Sequence, residues 1–278
     1  MDGIDLVVFD VDGVLVDARQ SYDAAARRTV EHFLGPRSGG WLTDAEMAAL
    51  RAVGGFNDEW DIAAAAVWAQ RAARRDLTRL APQGAGGLAA LAQAAGLTED
   101  PPRDAVLSVF CEIYAGTARV EEMYGRPPVL EASQEGLWQQ ERRLLEAAEL
   151  LLLPVRKAVY TGRTTGELRP TFERFAFGIH FPEHLRLTAD GPYRKPDGRG
   201  LLYLAQAASA SHVLMVGDNV DDALTAQSAR SLDPSRRYDF CGVLGGALGE
   251  RAEEVFTRLG VEAIAPSTSE LLRWLRGA

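Results

Sequence analysis

Four short stretches hold the residues whose types and spacing could do chemistry. Asp10 and Asp12 stand two residues apart, after the apolar run Leu6-Val7-Val8-Phe9 and before Gly13. Thr161 and Gly162 follow the run from Val155 to Tyr160, and Lys195 lies in the loop Asp190-Gly191-Pro192-Tyr193-Arg194-Lys195-Pro196. Asp218, Asp221 and Asp222 follow Val213-Leu214-Met215-Val216-Gly217. Phosphoryl transfer needs a nucleophile, neutralisation of the nonbridging oxygens, a proton source for the leaving group and a metal that lets a carboxylate approach a phosphate dianion. The set contains a candidate for each. Asp218 and Asp222, at i and i+4, cross a strand end and the first turn of the next helix; hard oxygen ligands beside a phosphate suit Mg²⁺, which keeps several waters and takes few carboxylates.

Lysine usage singles out one basic position. Of 30 basic residues only Lys157 and Lys195 are lysine, so a surviving Lys asks what a compact ammonium does there that a guanidinium cannot. Lys195 sits in a Gly- and Pro-bearing loop, whereas Lys157 merely precedes a buried run.

These residues need elements that bring them together. Leu6 to Phe9 is too short for a helix, rich in Val and stopped by an acid-glycine turn, which reads as a strand buried on both faces of a parallel sheet. In such sheets ligands bind beyond the strand C-termini, where Asp10 and Asp12 project. The Asp12-Gly13 pair also suits a plain turn that needs a positive φ. From Val155 onward strands and helices alternate, with strands near 155–160, 185–188, 213–216, 240–244 and 261–264, which predicts a doubly wound α/β sheet. Thr161 and Asp218 then fall at strand ends.

Between about residues 18 and 132 the signals are helical only. Helices are expected over 22–34, from the capping-box spacing Thr43-Asp44-Ala45-Glu46, over 58–76, 86–95 and 102–123, and the returning chain predicts one more over 134–152. A second capping box, Ser267-Thr268-Ser269-Glu270, opens the last helix. A helical insert after the first strand of a parallel sheet must leave the sheet and return, so it forms its own small domain. The expected division is a core of residues 1–17 and 133–278 and a helical domain of residues 18–132. Within the insert, Asn57 or Asp58 could cap the third helix, or Asn57, Asp58 and Trp60 could meet a ligand.

Composition excludes several classes. With 39 acidic against 30 basic residues and a formal charge of -9, nucleic acid is not an expected partner, and Arg71, Arg74, Arg75 and Arg79 read as a solvated helix face. Cys111 and Cys241 lie in apolar contexts and read as core thiols. No apolar run approaches the ~18 residues of a membrane span, and the N-terminus lacks a basic n-region, so a cytoplasmic location is expected.

Asp10-Val11-Asp12-Gly13-Val14, Thr161, Lys195, and Asp218 with Asp221 or Asp222 appear in the order of the four signatures of the haloacid dehalogenase-like hydrolases, which are mostly phosphatases, and the sequence resembles their phosphoglycolate-phosphatase-like branch. The resemblance implies a mobile helical cap inserted after the first signature. It implies Asp10 as nucleophile, Asp12 as general acid and base, Thr161 with the Gly162 N–H and Lys195 as phosphate-binding groups. It further implies Mg²⁺ held directly by Asp10, Asp218 and the Asp12 carbonyl, with Asp222 or Asp221 behind these ligands or reaching the ion through water. The substrate would be a small phosphorylated metabolite, with Asn57, Asp58 and Trp60 on the leaving group.

Other reactions share such a scaffold. A dehalogenase lacks the second acid, so Asp12 with Asp218 argues against it, and a phosphonate hydrolase needs a cap lysine, whereas the first Lys is Lys157. A phosphosugar mutase would use the same core. A non-catalytic binding protein should have lost an essential group, and none is missing.

Overall fold

A computed structural model of the chain describes residues 3–56, 58–74, 76–246 and 249–277, the side chain of Glu250 excepted. It divides into two units, one of Met1–Arg19 with Glu141–Ala278 and one of Gln20–Gln140.

The first unit opens with β1 (Leu6–Phe9), every residue buried, and a tight turn in which the Val11 carbonyl accepts from the N–H groups of Leu15 and Val16. Gly13 takes φ +72 in that turn, a conformation that only glycine adopts without strain. A two-residue strand, β2 (Val16–Asp17), then leads out.

The second unit is helical: α1 (Arg19–Leu34), α2 (Asp44–Ala52), α3 (Glu59–Arg71), α4 (Leu77–Leu80), α5 (Leu88–Ala95), α6 (Arg103–Ala115) and α7 (Val120–Tyr124). Its own core gathers the alanine run of α3 with Trp68, Leu91, Val106, Phe110 and Tyr114. The expected box is present on α2, where Thr43 accepts from the Glu46 N–H and Glu46 reaches back to the Thr43 N–H. The single helix expected over 102–123 is two helices. It breaks at Gly116, whose φ of +81 no helix tolerates and where a Cβ would sit 2.6 Å from the Gly136 N.

The expected helix over 134–152 is not formed. The chain makes a single 3-10 turn (Leu137–Gln140), then β3 (Arg142–Arg143), then α8 (Ala147–Leu151), which opens at its own capping box, Glu146 with Glu149. The reason is tertiary: Leu137 and Trp138 pack into the helical core and the Trp138 indole donates to the Ala115 carbonyl, while Arg142 and Arg143 pair antiparallel with Asp17 and Val16. The return crossing therefore falls after Gln140 rather than after residue 132.

From there alternation holds: β4 (Arg156–Tyr160), α9 (Thr165–Phe175), β5 (Arg186–Leu187), α10 (Arg199–Ala207), β6 (His212–Gly217), α11 (Val220–Leu232), β7 (Arg237–Val243), α12 (Ala252–Leu259), β8 (Ala263–Ala265) and α13 (Thr268–Leu275). Six strands form one sheet in the order β5-β4-β1-β6-β7-β8, every pairing parallel. Only half of the box expected at Ser267 exists: the hydroxyl accepts from the Glu270 N–H, while the Glu270 carboxylate pairs with Arg273. Both cysteines are buried and outside any disulfide, and no described helix is long and apolar enough to cross a membrane.

Candidate active site

Register brings the chemistry to one edge of the sheet. Phe9 of β1 lies level with Val159 of β4 and Val216 of β6, so Asp10, Thr161 and Asp218 leave three adjacent strands within one residue of one another. The Asp10 N–H is still in the ladder, donating to the Val216 carbonyl at 2.9 Å, which fixes the backbone from which its carboxylate projects.

Asp10, Asp218 and Asp222 are all buried, and each offers a carboxylate oxygen within 4.8 Å of the others. Lys195 reaches in with Nζ 2.9 Å from Asp10 Oδ2 and 2.6 Å from Asp222 Oδ1. The other Asp222 oxygen accepts from the N–H groups of Asp218 and Asn219 at 3.1 and 3.3 Å, and the Asn219 side chain accepts from the Asp222 N–H and caps α11. The geometry thus selects Asp222 over Asp221 as the inward acid. Because both its oxygens are already met by protein donors, Asp222 orients its neighbours and steadies Lys195. The other lysine, Lys157, donates to the carbonyls of Leu153 and Val155.

Two glycines make room for Asp218. A Cβ at Gly13 would lie 2.1 Å from its Oδ2 and one at Gly246 2.0 Å, while a Cβ at Gly217 would meet Asp222 at 2.3 Å. Gly246 is not among the site residues expected from the sequence. Its signal was a Gly245-Gly246 pair just beyond the strand predicted over 240–244, a position where close backbone approach is common.

The electrostatics are those of a site built for a cation. Burial pushes the Asp10 carboxyl well above the usual carboxylate range; Lys195 opposes this, and Asp222, Asp218 and Asp12 add to it by like-charge repulsion. Burial alone would lower the proton affinity of Lys195, but Asp10 and Asp222 hold it above the ordinary lysine value. Asp10 Oδ1 is buried with no hydrogen-bond partner among the described residues, a costly state for a carboxylate oxygen. Three carboxylates face one ammonium, and a hard divalent ion such as Mg²⁺ fits both the donor set and the orphaned oxygen.

Thr161 is buried, its hydroxyl accepting from the Arg163 N–H at 3.1 Å while its own N–H donates to the Leu187 carbonyl. An accepting hydroxyl keeps a proton to give. Gly162 is exposed, and a Cβ there would meet no protein atom within 4 Å, so folding does not demand glycine.

Asp12 stands apart from the trio. Its carboxylate is gripped by the buried Arg163 guanidinium, with Nη2 2.6 Å from Oδ1 and Nε 3.1 Å from each oxygen. Behind Arg163 lies buried Glu141. In the sequence Arg163 is only the residue after a strand-end Thr-Gly, and Glu141 falls inside the helix expected over 134–152.

The remaining residues expected at the site lie in the helical unit. Asn57 falls outside the described residues. Asp58 is the N-cap residue of α3 without a side-chain capping bond, and Trp60 packs edge-on against Phe110 at 5.7 Å. Arg71 pairs with Asp100 and Arg79 with Asp76 at the surface; Arg75 is outside the described residues.

Residues 4–230 match the family model described as a haloacid dehalogenase-like hydrolase. No curated protein matches the chain in sequence. Among solved structures it is similar to phosphatase Tt82 from Thermococcus thioreducens, with a TM-score of 0.69 and 24% identity over 98% of this chain and 100% of that one. It is also similar to a protein from Haemophilus somnus 129PT assigned as a phosphoglycolate phosphatase (TM-score 0.62, 16% identity, 99% of each chain). A third, from Thermotoga maritima and assigned as a beta-phosphoglucomutase, gives a TM-score of 0.58 at 16% identity over 99% of this chain and 100% of that one. At such identities the likeness is one of fold.

Proposed function

Because the chain belongs to the haloacid dehalogenase-like hydrolases, we propose that it is a Mg²⁺-dependent phosphatase that hydrolyses a small phosphate monoester through an aspartyl-phosphate on Asp10. The observation that carries this reading is the state of Asp10: one oxygen held by Lys195, the other buried and without a partner among the described residues, beside Asp218 and Asp222.

Asp10 and Asp218 with the Asp12 carbonyl would hold the ion, which when bound would supply positive charge for a carboxylate to approach the phosphoryl dianion. Lys195 and the Thr161 hydroxyl, with the Gly162 N–H, neutralise the nonbridging oxygens. A carboxylate oxygen of Asp10 forms a bond to phosphorus as the ester P–O bond breaks, and Asp12 delivers its proton to the departing oxygen. In the second half Asp12 takes a proton from water as it attacks phosphorus, and the bond to Asp10 breaks to release orthophosphate. The helical unit serves as the cap, with Asn57, Asp58 and Trp60 choosing the leaving group, and the substrate is a phosphorylated metabolite of the cytoplasm.

The test is phosphate release from a panel of small phosphorylated metabolites by wild type and Asp10→Asn, with Mg²⁺ and with EDTA. Release that needs both Asp10 and the metal supports the reading. Isomerised sugar phosphates without release would replace it with a mutase, and folded protein that binds Mg²⁺ yet turns over nothing would replace it with a binding role.

A further inference from the structure

Arg163 has an environment that phosphate chemistry alone does not require. Its side chain is fully buried, although it leaves the same strand-end loop as Thr161 and Gly162. One edge of the guanidinium holds Asp12, through Nε and Nη2. The other edge holds Glu141, with Nη2 3.0 Å from Oε1 and Nη1 3.2 Å from Oε2, and Nη1 donates to the Thr171 hydroxyl at 2.6 Å. All three nitrogens are engaged.

The two carboxylates differ in one respect that matters. The Glu141 side chain has no exposure, whereas that of Asp12 is 36% exposed. Arg163 and Glu141 neutralise each other in the interior, and a buried guanidinium so paired keeps a fixed orientation. Asp12 is the network's open end, gripped from behind and presenting its carboxylate to solvent. Glu141 is the first residue of the sheet unit after the helical insert, and Thr171 lies in α9, so the grip rests on three segments remote from Asp12 in sequence.

We propose that Arg163, anchored by Glu141 and Thr171, is the positioning residue that aims Asp12 for both proton transfers. The inference rests on the reading of Asp12 as acid and base given above. A planar fork fixes a carboxylate in two directions, which a single ammonium cannot do. Without it Asp12 keeps its chemistry and loses its aim. The loss falls on the steps Asp12 serves: departure of poor leaving groups and hydrolysis of the aspartyl-phosphate. Formation of that intermediate from an ester whose leaving group needs no proton is spared.

The experiment compares wild type, Arg163→Met and Arg163→Lys in full-length protein with Mg²⁺, on p-nitrophenyl phosphate and on an alkyl phosphate that the wild type turns over. Arg163→Met is expected to lose about 100-fold in kcat on the alkyl ester, the lower end of what general acid–base catalysis supplies. On the aryl ester it should give a burst of about one nitrophenolate per enzyme followed by slow turnover, as expected when the covalent intermediate accumulates. Arg163→Lys restores little of either. Equal losses on both esters without a burst, in folded protein, would overturn the proposal and leave Arg163 a structural ion pair. If Arg163→Met does not fold, Thr171→Val, which removes one anchor, should show the same split at smaller size, and an even loss there counts against the proposal. If the wild type hydrolyses neither ester, the phosphatase reading fails, and crystal structures decide the positioning. An Asp12 carboxylate displaced or disordered in the variant, Arg163→Met or Thr171→Val, supports it, and one left in place overturns it.

Discussion

In the sheet unit the charged groups beyond the strand ends are bridged and, Asp12 apart, buried: Lys195 between Asp10 and Asp222, Arg163 between Asp12 and Glu141. In the helical unit most ion pairs lie at the surface, as between Arg27 and Asp44, Arg71 and Asp100, and Arg126 and Asp104, and the interior is apolar. Exposed pairs contribute little, so burial of alanine, leucine and aromatic side chains holds the helices together. Buried charges cost desolvation and set directions, so the sheet unit gives up stability at its strand ends for a fixed constellation. Exceptions in the helical unit are the half-buried triad of Asp23, Arg51 and Glu59 and the fully buried Glu112, whose carboxylate accepts from the Thr117 hydroxyl and the Val129 and Leu130 N–H groups.

The contrast can be tested by removing charge on each side. The largest effect is expected from Asp10→Asn, which should abolish turnover, by roughly 10⁴-fold or more, while raising the melting temperature in EDTA. Asp10 has a raised carboxyl pKa, so the folded state binds its proton more tightly than the unfolded one. The stability this gives is present at acid pH and lost as pH rises, so the variant should gain at pH 8 and draw level near pH 4. A lower melting temperature at pH 8 would mean that the bond to Lys195 outweighs desolvation.

Next in size is Gly246→Ala, whose new Cβ collides with the Asp218 carboxylate. Calorimetry should show Mg²⁺ affinity falling by about 10- to 100-fold, the range seen when a ligand's supporting shell is disturbed. Unchanged affinity would show that the loop after β7 yields at no cost.

In the helical unit burial first, opposed by Arg51, pushes Glu59 up to about 7 from 4.5. Its stability contribution is whole below about pH 4.5 and lost as pH rises through about 7. Glu59→Gln should therefore match wild type in thermal stability near pH 4.5 and exceed it at pH 8; the reverse order at pH 8 would give the ion pair with Arg51 the larger role. The smallest effect belongs to Thr43→Ala, which removes the capping box of α2 at a cost of about 1 kcal/mol, read as faster hydrogen exchange in α2 with no change in turnover.

The sheet was legible because buried strands declare themselves as short Val-rich runs, and each strand end carries the residues that could not be buried within it. The box at Thr43 was legible for a similar reason, being a contact among neighbours in sequence. Reading failed where neighbours in space overrule neighbours in sequence. Residues 134–152 have helical spacing, yet Trp138 is claimed by one unit and Arg142 by the other, and no single helix serves both. Gly116 looked tolerable in a helix until Gly136 packed against it.

For the candidate site, local pattern and residue type were enough to nominate Asp10, Asp12, Thr161, Lys195, Asp218 and Asp222, each at a strand end or in a loop. Tertiary structure alone decided how they face one another. It turned Asp222 inward and left Asp221 outside the cluster, placed two glycines against Asp218, and joined Asp12 to Glu141 through Arg163 across segments far apart in the chain. Those choices depend on distances of a few ångströms between remote residues, which parallel register and close packing set and which spacing along the chain does not encode.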